Sequence, residues 1–319
     1  MIRQLSEREK RVVEKHVLES GMRDGVRVLQ WEGAWSVYFS KSGRLWVHND
    51  TARKQAYQEL YFYSAKSVVG TITCSHPIKL WDKKRYLTAR ETARLQGFPE
   101  AMILPMSQYS RLFGNAVSVP CAAFAISRVC DSNERIRHID LCSGIGGFSF
   151  ALGMHVDNVV HVGFSEIMKA AKECYLHNFP DAPDLGDAHV ASWPQCDLLT
   201  AGFPCQPFSC SNSRIRRTNH RSKDFYEVVL NAISRSGATR VVLENVTSFQ
   251  TVGREKFQHM LQMLKTWGFH MSCQILDSTN SGIPQKRKRL YMVGSKLAEP
   301  LSWDRPSHAP TALDDILGD

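Results

Sequence analysis

From residue 138 to residue 295 the apolar positions fall into two alternating regimes, short continuous runs and longer stretches at helical spacing. The short runs predict strands at His138–Cys142, Val159–Phe164, Asp197–Ala201, Arg240–Glu244, Met271–Leu276 and Arg289–Val293. The longer stretches predict helices at Phe148–Met154, Lys169–Asn178, Phe225–Ser234 and Glu255–Trp267, the last stopped by Gly268. Strand and helix in alternation give an α/β domain, a mostly parallel sheet covered by helices.

The first part of the chain has a different pattern. Ser6–Ser20 is charged and amphipathic, as in a helix. Val26–Trp31 and Trp35–Ser40 alternate like strands, and Lys41-Ser42-Gly43 forms a turn before Leu45–His48. Aromatic residues crowd this region and are expected to make most of a small core. The polar stretch Cys130–Arg137 reads as a linker between the two parts.

Length and composition fit this division. The chain has 319 residues, 43% of them hydrophobic and 22% charged, enough for a large domain and a smaller companion. It contains no run of eighteen apolar residues, and its start lacks the apolar core of a signal peptide. The expectation is a soluble, cytoplasmic protein with no membrane partner, acting as a monomer. None of the nine cysteines forms a C-x-x-C pair, so no metal site is expected, and reduced thiols are. The net charge of +9 is uneven: residues 1–90 hold 17 Lys and Arg against 9 Asp and Glu. That imbalance points the N-terminal region toward a polyanion.

Three features carry candidate cofactor chemistry. Asp140-Leu141-Cys142-Ser143-Gly144-Ile145-Gly146-Gly147 places a glycine-rich turn between a strand and a helix. Alone it would suit a dinucleotide or a plain tight turn equally well. Glu166 ends the next strand, where an acid commonly holds ribose hydroxyls, and Asp187 follows the next helix. Together the three favour an adenosine-containing cofactor.

Gly202-Phe203-Pro204-Cys205-Gln206-Pro207-Phe208-Ser209 directly follows the predicted strand Asp197–Ala201. A cysteine there sits where parallel sheets do chemistry, with the thiolate as its reactive form. This octapeptide closely resembles the catalytic motif of the cytosine-C5 DNA methyltransferases. Leu243-Glu244-Asn245-Val246 and Gln285-Lys286-Arg287-Lys288-Arg289 resemble two further motifs of that family, in the expected order. The resemblance implies a Rossmann-like, doubly wound S-adenosylmethionine-dependent methyltransferase fold with a small target-recognition domain.

The resemblance also assigns roles. Cys205 would add to carbon 6 of cytosine and make carbon 5 nucleophilic. Glu244 would hold the N3 and amino edge, and Arg289, helped by Arg287, the O2 oxygen. S-adenosylmethionine would be held by Asp140, Ser143, Gly144, Ile145, Gly146, Gly147, Glu166, Ile167, Asp187, Ala188, Pro204, Asn115, Ala116 and Val117. The substrate would be duplex DNA with the target base flipped out, at about a few kcal/mol. A cognate restriction endonuclease is the possible protein partner. Arg214-Ile215-Arg216-Arg217 and Arg221-Ser222-Lys223 resemble part of a mobile loop that closes over DNA. At Cys142 and Ile167 the family commonly has phenylalanine and tryptophan.

Two motifs that ordinarily come last come first here. Tyr86–Pro99 resembles the penultimate motif, and Phe113-Gly114-Asn115-Ala116-Val117 with Pro120 the final one. A helix at Cys121–Val129 then leads into the strand of the glycine turn, so the chain resembles a circularly permuted member. Residues 1–85 would be the recognition region, 86–130 the permuted motifs completing the catalytic domain, 131–298 the catalytic and cofactor-binding domain, and 299–319 a connection toward the recognition region. Competing readings are a tRNA cytosine-5 methyltransferase, a non-catalytic DNA-binding relative, and a nicotinamide oxidoreductase, which explains the glycine turn alone.

Neutralising lysines and arginines within residues 1–85 is expected to weaken DNA binding and flatten its salt dependence, by about 0.9 in the log–log slope per lost phosphate contact. Titrations across salt concentrations check this, and an unchanged slope would remove that region from the DNA-facing surface.

Overall fold

The computed structural model describes residues 28–31, 35–39, 45–49, 62–63, 68–74, 78–80, 83, 85–204, 224–304 and 311–317. The helix expected at Ser6–Ser20, the turn at Lys41–Gly43, Cys205 and the basic stretches 214–217 and 221–223 lie outside the described residues.

Two six-stranded sheets are present among the described residues. In the first, β1 (Val28–Trp31), β2 (Trp35–Phe39) and β3 (Leu45–Asn49) form an antiparallel meander, matching the alternation in the sequence. It continues in chain order through β4 (Phe62–Tyr63), β5 (Lys79–Leu80) and β6 (Arg85–Tyr86). The boundary expected at residue 85 therefore falls inside β6, whose Tyr86 pairs with Lys79.

Three helices follow: α1 (Ala89–Arg94), α2 (Tyr109–Asn115) and α3 (Val119–Ile126). Thr88 and Glu91 close a capping box on α1. The second sheet then begins with β7 (Arg135–Leu141), α4 (Gly147–Gly153), β8 (Asn158–Ser165), α5 (Lys169–Asn178) and β9 (Leu198–Gly202). It ends with α6 (Phe225–Ser236), β10 (Arg240–Val246), α7 (Arg254–Thr266), β11 (His270–Asp277) and β12 (Lys288–Ser295). The linker expected over Cys130–Arg137 is thus shorter, because Arg135–Arg137 belong to β7. Ile136 is fully buried there while Arg137 turns outward to pair with Asp197, a pattern that polarity alone conceals.

The strand order is β11-β12-β10-β9-β7-β8. The β8–β7, β7–β9 and β9–β10 pairs are parallel, and β12 runs antiparallel to both β10 and β11. Strand alternation separates two cores. Ile136, Leu198, Val242, Tyr291 and Val293 belong to one cluster with residues of α2, α3 and α4. Ile139, Leu199, Val241, Leu243 and Met292 belong to the other, with residues of α6 and α7. Helices on both faces make the sheet doubly wound, as expected. No described helix is long and apolar enough to cross a membrane.

The segment 68–73 is sewn to the second sheet. Val69 bridges Gln285 in parallel, and Gln285, fully buried, accepts from Ile72 N–H through Oε1 at 2.8 Å. Its amide donates to Leu95 O and to Gln96 Oε1, and Gln96 donates in turn to Phe113 O. Buried amides that lost such partners would cost about 1–3 kcal/mol each.

Gly114 on α2 tests this packing: a Cβ there would lie 2.5 Å from the backbone nitrogen of Cys74. Gly114→Ala is expected to destabilise the chain by about 1–3 kcal/mol. Urea denaturation measures it, and an unchanged midpoint would show that residues 73–74 do not rest against α2.

Candidate active site

Parallel strands bring their carboxyl ends to one side of a sheet, and the order reverses between β7 and β9. The glycine turn leaves β7 at this point, and Phe203-Pro204 leave β9 beside it.

The turn depends on left-handed backbone. Cys142, Gly144 and Gly146 have φ of +55°, +55° and +90°, and only a glycine takes such values without strain. Cys142 is the non-glycine exception. Above Gly144 a Cβ would meet nothing within 4 Å, whereas at Gly147 it would lie 2.7 Å from Val117 Cγ2. The first glycine thus faces open space, and the second lets the segment Asn115-Ala116-Val117 approach the start of α4. Ala116 and Val117 are buried, while Asn115 is exposed.

Glu166 braces the turn. Its Oε2 accepts from Gly144 N–H at 3.0 Å and its Oε1 from Met168 N–H at 2.7 Å. An ionised carboxylate has about four acceptor positions, so capacity remains for a ligand hydroxyl. Asp187 Oδ1 accepts from His189 N–H at 3.1 Å, next to the buried Ala188. Ile167 is 69% exposed, an apolar side chain presented to solvent beside Glu166. The hydroxyl of Ser143 is buried yet has no hydrogen-bond partner within the described residues. A buried, unsatisfied hydroxyl in a turn with space above Gly144 fits a polar ligand such as an adenosyl cofactor.

Asp140 lies beneath the turn, fully buried. Burial pushes its carboxyl up to about 7, against hydrogen bonds from Ser149 and Thr200, and the charge of Glu166 adds to the rise.

The second group lies across β10 and β12. Because β12 runs antiparallel, Glu244 is paired with Tyr291 and Val246 with Arg289. Glu244 and Arg289 therefore meet diagonally, with Nε 3.2 Å from Oε1. Burial raises the Glu244 carboxyl above its usual range, and Arg289 and Arg287 pull against that rise. A Cβ on Gly202 would lie 3.9 Å from Glu244 Oε2 and 3.7 Å from Val117 Cγ1. Asn245 fixes the exit of β9 by donating to Phe203 O at 3.3 Å. The partly buried Pro204 follows, and Cys205 lies beyond the described residues.

Arg287 is anchored to remote backbone. Its Nη1 donates to Ile72 O, and its Nη2 donates to Gly114 O and Ala116 O at 3.2 and 2.7 Å. Through these bonds to backbone carbonyls, Arg287 ties three segments together.

Five other cysteines among the described residues are unsuited to act as nucleophiles. Burial pushes Cys130 up to about 12 and Cys174, Cys196 and Cys273 up to about 11. Cys142 is held well above its ordinary value by burial and by the carboxylates of Glu166, Asp140 and Asp187. Thiols held protonated in this way are inert.

Sequence reasoning missed the Asn245 contact, the Gln285–Gln96 pair and a row of polar groups around Asp140 described below. None has a local signal, since each joins residues brought together by strand register or by remote packing.

Known proteins resemble this chain over about half of its length. The chain is 33% identical over 183 residues to the type II methyltransferase M.NgoBI of Neisseria gonorrhoeae, covering 56% of each chain. It is 34% identical over 185 residues to M.NlaIV of Neisseria lactamica, covering 52% of this chain and 43% of that one. The chain spans about half the length of the curated relatives it matches. Among solved structures, the methyltransferase EhMeth of Entamoeba histolytica superposes with a TM-score of 0.46 at 18% identity, over 56% of this chain and 58% of the other. The model of C-5 cytosine-specific DNA methylases matches residues 4–130 and 136–314. On that match, which takes in nearly the whole chain, the protein belongs to the C-5 cytosine-specific DNA methylase family.

Proposed function

We propose that this protein methylates carbon 5 of cytosine in duplex DNA, with Cys205 as the nucleophile. The observation that carries the reading is the pairing of buried Glu244 with partly buried Arg289, set beside Gly202 where β9 leads toward Cys205. A carboxylate and a guanidinium side by side match the two needs of an activated cytosine, a proton partner at N3 and a positive charge at O2.

S-adenosylmethionine, when bound, supplies an electrophilic methyl group. Ser143, Glu166 and Asp187 would hold it, with the backbone of Gly144 leaving room. Cys205 adds its sulfur to carbon 6 of the flipped base, and the electron pair released toward carbon 5 makes that carbon nucleophilic. Glu244, drawn toward its protonated form by burial, shares a proton with N3 as the ring becomes electron-rich. Arg289 stabilises the oxygen where negative charge builds. Once carbon 5 is methylated, loss of its proton and of the sulfur at carbon 6 restores the aromatic ring. Arg287 acts as a positioning residue, holding the segment 114–116 against the site.

In this reading residues 1–85 recognise the DNA and 86–130 are permuted family motifs. The direct passage from α3 into β7, and the seat of Val117 against Gly147, support that order. A cognate restriction endonuclease is the natural partner of such an enzyme, and the chain acts as a cytoplasmic monomer.

Cys205→Ser is expected to abolish transfer of labelled methyl groups to duplex DNA while the thermal transition stays in place; retained transfer would end the assignment. Glu244→Gln should lower turnover by about 10²- to 10⁴-fold with little loss of DNA affinity. DNA carrying 5-fluorocytosine should be trapped covalently at Cys205, and trapping on tRNA in place of DNA would move the substrate to RNA.

A further inference from the structure

A continuous row of buried polar side chains runs through the sheet below the glycine turn. His161 Nδ1 lies 3.2 Å from His138 Nδ1, and His138 Nε2 lies 2.8 Å from Thr200 Oγ1. Thr200 donates to Asp140 Oδ1 at 3.0 Å. From the other side Ser149 donates to Asp140 Oδ2 at 3.0 Å, and its oxygen lies 2.8 Å from the Tyr175 hydroxyl. The row crosses three adjacent strands, β8, β7 and β9, and is closed by α4 and α5. A register shift between His138 and Ile139 follows the pairing of His138 with His161.

With Asp140 ionised, proton counting fixes the directions in this row. Thr200 has one hydrogen and gives it to Asp140, so His138 must donate to Thr200 from Nε2. Burial holds His138 well below its usual range and His161 down at about 4, so both rings are neutral near pH 7. His138 Nδ1 is then an acceptor, and His161 donates from Nδ1. Ser149 likewise gives its one hydrogen to Asp140, so Tyr175 donates to Ser149. Both branches converge on an ionised Asp140.

A protonated Asp140 reverses the longer branch. Its hydrogen would go to Thr200, whose own would turn to His138 Nε2, and His138 would then donate from Nδ1 to His161. The change is a relay: His161 Nε2 takes a proton from solvent, and each member passes one hydrogen inward. One proton enters, one arrives at Asp140, and both histidines change tautomer.

Resting on the proposed cofactor reading of the turn, we propose that His161, His138 and Thr200 form a proton wire that sets the charge of Asp140 and couples capture of the sulfonium cofactor to release of a proton. The geometry suits this. Asp140 is completely buried, and His161, at the outer end on the edge strand β8, is only partly so. The ionisable groups facing Asp140 are Glu166, which opposes its charge, and Cys142 and Tyr175, whose protons its charge retains. Asp187 acts on Cys142 in the same sense. With Asp140 poised at about 7, a bound cation favours the ionised form, so affinity rises with pH through that point and a proton leaves for the buffer. His138, His161 and Thr200 are positioning residues that act through Asp140.

The test uses the full chain. In cofactor-free protein labelled with ¹⁵N-histidine, His138 is expected to pass from the Nδ1–H to the Nε2–H tautomer as pH rises through about 7. Thr200→Val removes one link and one donor. It should freeze that tautomer response and move the Asp140 carboxyl titration, followed by ¹³C, up by about one pH unit. A His138 tautomer constant from pH 5 to 9, or an Asp140 midpoint unmoved by Thr200→Val, would overturn the wire. Calorimetry with S-adenosylmethionine in two buffers of different ionisation enthalpy should show proton release near pH 6.5 that fades by pH 8.5, a window Thr200→Val shifts upward. Heat that ignores pH would overturn the coupling alone. No heat at any pH would overturn the cofactor reading beneath it, a result distinct from a fixed tautomer.

Discussion

The direction of β12 governs the site. A parallel sheet gathers carboxyl ends on one side, so a neighbour running the same way would have placed its first residues at the opposite end. Because β12 runs against β10, Arg289 at its start lies beside Glu244 near the end of β10. Burial of a lone carboxylate costs several kcal/mol, and the guanidinium offsets part of that. The pair stands next to the chain that leaves β9.

Two residues before Arg289, the same strand entry supplies a clasp. Arg287 and Gln285 spend their donors and acceptors on Ile72, Leu95, Gln96, Gly114 and Ala116, all far away in sequence. These bonds hold the end of the N-terminal region and the segment after α2 against the second sheet. Val117 then reaches both Gly147 and Gly202, closing the space between the glycine turn and the exit of β9. The Glu244–Arg289 pair and the glycine turn are thereby fixed relative to one another by contacts that belong to neither.

The protein keeps two acids buried within one sheet by different means. Glu244 has an arginine beside it, an arrangement suited to a group that must respond to charge appearing on a substrate. Asp140 has converging neutral donors from five side chains, directly or in relay, which lets it hold or lose a proton without breaking the row. Hydrogen bonds lower the cost of its charge without cancelling it, leaving the carboxyl poised near neutrality.

What the sequence determined by itself is local. The alternation of apolar runs and helical spacings located all six strands of the main sheet within a few residues, and in the central β9, β10 and β12 burial on both faces leaves continuous apolar runs. The glycines at 144 and 146 were readable as a turn since their left-handed backbone admits little else. Motif spelling singled out Glu244 and Arg289. Charge misled over Cys130–Arg137, where the arginines flank a fully buried Ile136, because one strand can face solvent and core on alternate residues. Only the tertiary structure decided that Arg287 is a clasp, that Val117 packs against both Gly147 and Gly202, and that His161, His138, Thr200, Asp140, Ser149 and Tyr175 form one row. Each outcome depends on strand register or on packing between segments tens to hundreds of residues apart, and a contact of that range leaves no mark on the residues beside it in the chain.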